Sequence, residues 1–195
     1  FLSQVGVGDF DDDGYEDLAF GSEGLRLSEE TTIYDTPLVV FGGQDTALDW
    51  SDSIGGVSAD DYGASHNLTV GDFNGDGLDD WVSSYYAFYS NEDRTFSAHR
   101  LDGIGNNATI AADFNRDGYD DLVFSNMPNH TDASQNGGDL KIMFGSASGL
   151  MDGAKTTDIF RSRFSEDNVG TSSITQADFT GDGIADLILA EHGWI

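Results

Sequence analysis

The chain has 195 residues, with 36 Asp and Glu against 8 Lys and Arg, so its formal charge of −28 excludes a nucleic-acid backbone as natural partner and disfavours an anionic membrane surface. At 38% hydrophobic and 12% aromatic residues it still holds enough apolar surface for a packed core. Cys is absent, which excludes disulfides and thiolate metal sites, and no apolar run reaches the length of a membrane-spanning helix.

In chain order, the sequence opens on a predicted strand and runs into Asp9-Phe-Asp-Asp-Asp-Gly-Tyr-Glu-Asp-Leu18, followed by the strand Leu18-Ala-Phe20. A long segment, Ser22–Thr36, leads to the strand Leu38-Val-Val-Phe-Gly-Gly43. Leu68-Thr-Val70 then precedes Asp72-Phe-Asn-Gly-Asp-Gly-Leu-Asp-Asp-Trp81, and Tyr85-Tyr-Ala-Phe-Tyr89 reads as a strand alternating between core and exposed face rather than a sugar-stacking surface. Ile110-Ala-Ala112 precedes Asp113-Phe-Asn-Arg-Asp-Gly-Tyr-Asp-Asp-Leu122, after which come Leu122-Val-Phe124, a second long segment Asn126–Gly138, and Leu140-Lys-Ile-Met-Phe-Gly145. Last, Ile174-Thr-Gln-Ala177 precedes Asp178-Phe-Thr-Gly-Asp-Gly-Ile-Ala-Asp-Leu187, and Leu187-Ile-Leu-Ala190 follows.

One pattern thus recurs four times, at spacings of 63, 41 and 65 residues. Apolar runs of three to five residues bounded by Gly and Asp read as strands, so each motif is expected to be the loop of a β-hairpin. The unit is strand, acidic loop, strand, variable loop, strand, turn, strand, and four short antiparallel strands per unit suit a blade of a β-propeller. The fold class expected is therefore all-β, with about three and a half blades present. That is too few to close a ring. Residues 1–195 are read as one propeller region of a longer chain, completed by its remaining blades or by another copy.

The loops, residues 9–17, 72–80, 113–121 and 178–186, offer oxygen at their first, third and fifth positions, Gly at the sixth and Asp at the ninth. Oxygen ligands at alternating positions suit a hard cation, with Gly permitting the sharp turn around it. The side-chain ligands expected are Asp9, Asp11, Asp13 and Asp17; Asp72, Asn74, Asp76 and Asp80; Asp113, Asn115, Asp117 and Asp121; and Asp178, Thr180, Asp182 and Asp186. The seventh-position carbonyls of Tyr15, Leu78, Tyr119 and Ile184 are expected to add an oxygen each. Such a set gives the six to eight oxygens that Ca²⁺ prefers, and about four ions are expected. Thirteen carboxylates in four tight loops would otherwise repel one another. An EF-hand is excluded, because its twelfth position needs Glu and here holds Phe20, Ser83, Phe124 and Leu189. The loop with Thr180 is expected to be the weakest.

These motifs resemble the FG-GAP, integrin-α-like, repeat family. The likeness rests on Leu18-Ala-Phe-Gly21, on Tyr62-Gly63 before Val70-Gly-Asp-Phe-Asn-Gly-Asp-Gly77, and on Phe144-Gly-Ser-Ala-Ser-Gly-Leu150, and it spans the whole chain. Tyr62-Gly63 and Ile104-Gly105 depart from the family's Phe-Gly, as does Thr180 from its acidic loop. The resemblance implies a calcium-stabilised propeller of extracellular adhesion or recognition proteins. The function expected is accordingly a secreted or cell-surface module that is not an enzyme. Its protein or glycan ligand would be taken on the rim opposite the calcium loops, where Arg26, Tyr34, Asn129 and His130 lie, with Trp50 and Tyr62 on the interblade connections. The alternatives are a propeller domain of a polysaccharide-active enzyme and a structural component of a surface filament or sheath. Three sequons, at Asn67, Asn107 and Asn129, allow a glycoprotein. No nucleophile elbow, zinc-protease motif or phosphate-binding loop is present.

Overall fold

A computed structural model describes residues 2–22, 25–26, 32–33, 38–43, 49–50, 68–83, 85–101, 104, 109–126, 139–150, 157–161 and 171–191. Every element among them is a strand, and every pairing is antiparallel. The first repeat consists of β1 (Leu2–Gly8), β2 (Asp17–Ser22), β3 (Leu25–Arg26), β4 (Thr32–Ile33), β5 (Leu38–Phe41) and β6 (Asp49–Trp50). The second holds β7 (Leu68–Gly71), β8 (Asp80–Ser83), β9 (Tyr86–Ser90) and β10 (Phe96–Arg100). The third holds β11 (Thr109–Ala112), β12 (Asp121–Asn126), β13 (Asp139–Met143) and β14 (Thr157–Arg161), and the fourth β15 (Thr171–Ala177) and β16 (Asp186–Glu191).

Three sheets have four strands in chain order, β1-β2-β5-β6, β7-β8-β9-β10 and β11-β12-β13-β14, and β15-β16 forms a two-stranded fourth. The sheets are separate, with no ladder joining them into a closed ring among the described residues. Each acidic motif links the first two strands of its sheet, as the sequence predicts. The register is the same each time: the residue before the motif faces the ninth residue of the motif, as Gly8↔Asp17, Gly71↔Asp80, Ala112↔Asp121 and Ala177↔Asp186.

The long segment after β2, read as a variable loop, carries a small ladder of its own, β3 with β4, placing Arg26 opposite Thr32. In the 41-residue repeat no such excursion exists, and β8 and β9 are joined almost directly. Arg26 lies in β3 and Trp50 in β6; Tyr34, Tyr62, Gly63, Gly105, Asn129, His130 and the sequon residues Asn67 and Asn107 fall outside the described residues.

The core lies between consecutive sheets rather than inside any one. Phe10, Ala19, Val39, Phe41, Trp81 and Phe88 form a cluster between the first and second repeats. Phe73, Val82, Ala87, Leu122, Phe124 and Met143 form one between the second and third. Val123, Leu140, Ile142 and Ile174 join the third to the fourth. Side chains alternate across a strand. Trp81 therefore faces back and Val82 forward, as do Phe88 and Ala87, and Val123 and Leu122 likewise serve different neighbours. Sheets covered on both faces read as unbroken apolar runs, which is why the central strands look hydrophobic throughout.

In β9, Phe88 stacks on Trp81 at 4.0 Å between ring centroids, as a core strand should. The Tyr89 hydroxyl is committed to the third repeat, accepting from Leu150 N at 2.7 Å and donating to Leu150 O at 3.0 Å.

Candidate metal centre

Each loop is wound around the carboxylate of its first residue. Asp9 Oδ2 accepts from Gly14 N at 3.0 Å, Asp72 Oδ2 from Gly77 N at 3.0 Å, Asp113 Oδ2 from Gly118 N at 3.0 Å and Asp178 Oδ2 from Gly183 N at 2.8 Å. The sixth-position Gly is left-handed in all four, as predicted, with φ between 81° and 93°. The fourth position is left-handed as well, which the sequence reading missed. It is Gly75 and Gly181 in two loops but Asp12 at φ 55° and Arg116 at φ 63° in the others. A non-glycine residue there costs about 1 kcal/mol.

The fifth-position carboxylates take the seventh-position N–H groups, Asp13 from Tyr15 at 2.9 Å, Asp76 from Leu78 at 2.9 Å, Asp117 from Tyr119 at 3.1 Å and Asp182 from Ile184 at 2.9 Å. Third-position oxygens of Asp11, Asn74 and Asn115 accept from the fifth-position N–H. Thr180 breaks the pattern: its own N–H donates to Asp186 at 3.0 Å.

The ninth-position Asp does more than line the loop. Asp17 Oδ2 accepts from Phe10 N at 2.8 Å and its Oδ1 from Gly42 N at 2.7 Å. Asp80 likewise takes Phe73 N at 3.2 Å and Ser90 N at 2.9 Å, and Asp121 takes Phe114 N at 3.1 Å and Gly145 N at 3.0 Å. All three are completely buried. Asp186, in the fourth repeat, is half-buried and takes Phe179 N at 2.9 Å. One carboxylate thus pins the loop to the third strand of its sheet. This explains the Phe-Gly after β5 and after β13: the Gly supplies the N–H, and its missing side chain makes room. A Cβ on Gly145 would lie 2.3 Å from Asp120 O and 2.9 Å from Phe73 O, backbone atoms that cannot step aside. Gly145→Ala is therefore expected to destabilise the chain by about 1–3 kcal/mol, read as a lower denaturation midpoint in urea.

Burial raises these carboxyls, opposed by the N–H groups they accept: Asp80 to about 8, Asp17 and Asp121 to about 6. Asp178, at the surface, is held below the usual carboxylate range, first by the Gly183 N–H.

The eighth position carries a function that sequence reasoning missed. Asp79 Oδ2 accepts from Asp9 N at 2.9 Å while Asp79 N donates to Asp9 O at 3.1 Å. Asp120 repeats this clasp on Asp72, at 3.1 and 2.9 Å. Each loop is thereby bonded to the loop before it, and burial raises both Asp79 and Asp120. The fourth repeat has Ala185 at this position, and there Arg116 of the third loop reaches across instead, donating to Asp182 O.

In the first loop, ligand oxygens of Asp9, Asp11 and Asp17 come within 4.8 Å of one another, a group able to hold a metal ion. Asp13 is not in that group, and its Oδ2 lies 3.4 Å from Arg94 Nη2. The other three loops repeat the register but have Asn74, Asn115 or Thr180 where Asp11 stands, and among the described residues no such group of three acidic ligands forms in them. The donor set is entirely oxygen, which fits a hard divalent cation and not a thiophilic metal. Compared with known proteins, the chain matches no family model and no curated sequence.

Proposed function

We propose that this chain is a calcium-stabilised β-propeller module of the FG-GAP kind, acting outside the cell in adhesion or recognition rather than catalysis. The fourfold loop carries the reading: four hairpins hold the same oxygen-bearing positions in the same register, and in the first, three carboxylates converge within 4.8 Å. A divalent ion would offset their repulsion. Asp9, Asp11, Asp13 and Asp17 would hold it there, with Asp72, Asn74, Asp76 and Asp80, Asp113, Asn115, Asp117 and Asp121, and Asp178, Thr180, Asp182 and Asp186 in the other loops. Three four-stranded antiparallel sheets, stacked in chain order with a core between each pair, support the propeller. A protein or glycan ligand would be taken on the rim opposite the loops.

One observation favours a second reading, in which the loops need no metal: the same carboxylates already accept loop N–H groups. Equilibrium dialysis against Ca²⁺, with metal counted per chain, separates the two. One ion per loop, with the Thr180 loop filling last, is the expected result. No retained metal would leave the second reading standing.

A further inference from the structure

Arg94, like Arg116, sits on an acidic loop that belongs to another repeat. It lies in the turn between β9 and β10, where Asn91 N donates to Thr95 O at 3.0 Å and Arg94 N to Asn91 O at 3.0 Å. That turn holds Arg94 at φ 63°. From there its Nε reaches Asp11 Oδ2 at 2.6 Å and its Nη2 reaches Asp13 Oδ2 at 3.4 Å. Its guanidinium carbon also stands 4.8 Å from the ring centroid of Phe41, itself locked in the core. Turn and ring therefore place the charge on the first loop, leaving the Asp11 side chain only 3% exposed.

The first loop is also the one with a carboxylate at its third position; Asn74, Asn115 and Thr180 are neutral. Asp11 paired with Arg94 is, in charge, the equivalent of those neutral residues. We propose that Arg94 sets the affinity of the first loop for divalent cations, cancelling the additional carboxylate and tying the loop's occupancy to the β9–β10 turn. This rests on the calcium reading above. Affinity in such loops follows the number of ligand charges. Removing the guanidinium leaves four uncompensated carboxylates and should tighten the site about tenfold. Removing Asp11 while keeping Arg94 should loosen it by a similar factor, because a fixed positive charge then faces the ion.

The test is a Ca²⁺ titration of the whole chain followed by ¹H–¹⁵N correlation spectra. The amides of Gly14, Gly77, Gly118 and Gly183 report the four loops separately, since each donates to the first carboxylate of its own loop. Arg94→Gln should tighten the Gly14 transition and leave the other three in place, Asp11→Asn should weaken it, and the double variant should return it near the starting value. In the unaltered chain, the Arg94 side-chain Nε–H signal should shift together with Gly14. A merely structural role for Arg94 would weaken the site in Arg94→Gln, and that result, or no change, overturns the inference while leaving the calcium reading intact. Absence of saturable shifts at all four glycines in the unaltered chain overturns both.

Discussion

Asp80→Ala is expected to lower the melting temperature by about 10 °C in chelator, because it strips two buried N–H groups of their acceptor, and by more in Ca²⁺, where a ligand of the second ion goes with it. Asp80 is fully buried. Its two oxygens hold Phe73 N at the start of the loop and Ser90 N at the end of β9. Water cannot replace the carboxylate there, since Phe73 and Ser90 are themselves buried. Each buried donor left without a partner costs about 1–3 kcal/mol. Asp80→Asn keeps an acceptor for one of the two N–H groups and turns an amide nitrogen on the other, so its loss should fall between. Asp186→Ala, whose carboxylate is only half-buried, should cost clearly less. Differential scanning calorimetry of the three variants checks the order; a mild Asp80→Ala would show that the loop is held by something other than this carboxylate.

The chelated chain should lose stability as pH rises from about 5 to about 8, by on the order of 10 °C in melting temperature, and saturating Ca²⁺ should abolish that loss. Burial raises Asp80 to about 8 and Asp17 and Asp121 to about 6 from an ordinary 3.8. Between the ordinary value and the raised one, the folded chain keeps a proton that the unfolded chain has released. The unfolded state then binds fewer protons, and stability falls with rising pH. For Asp17 and Asp121 the fall is complete near 6, and Asp80 carries it on to about 8. Asp178, held below its ordinary value, contributes the opposite slope, but in the acid range below that window. A divalent cation supplies the positive charge that lets these carboxyls ionise in place, so its stabilisation should be largest at the alkaline end. Thermal scans at three pH values, with and without chelator, decide it. A chelated chain that gains stability toward pH 8 would contradict the buried-carboxyl account.

The hairpins and the sharp turn at the sixth-position Gly were legible because they are local: nine residues of Asp, Gly and alternating oxygen suffice to write the turn. The ninth Asp was legible as an acid but not as the pin that reaches β5, β9 or β13, since its second partner lies 10 to 25 residues away. Asp79 and Asp120 were hidden for the same reason. Their partners, Asp9 and Asp72, lie in the preceding repeat, and only stacking brings them together. One signal was available, since the eighth position is acidic in Glu16, Asp79 and Asp120 and lapses only at Ala185. Arg94 could not have been found, because nothing in the spacing of a lone Arg 81 residues from Asp13 marks it as that residue's neighbour.

Because each apolar cluster is shared by two consecutive sheets, no sheet owns a core of its own. Cohesion then behaves like the coupling between adjacent links of a chain: a repeat is ordered because its neighbour is, and the influence of any one side chain reaches little further than the next link. Melting in such an array is the movement of a boundary from one link to the next. The second repeat, with Trp81 turned to one neighbour and Val82 to the other, is gripped from both sides. In the fourth, Phe179 and Ile188 are about half exposed, as Val5 and Val7 are in the first.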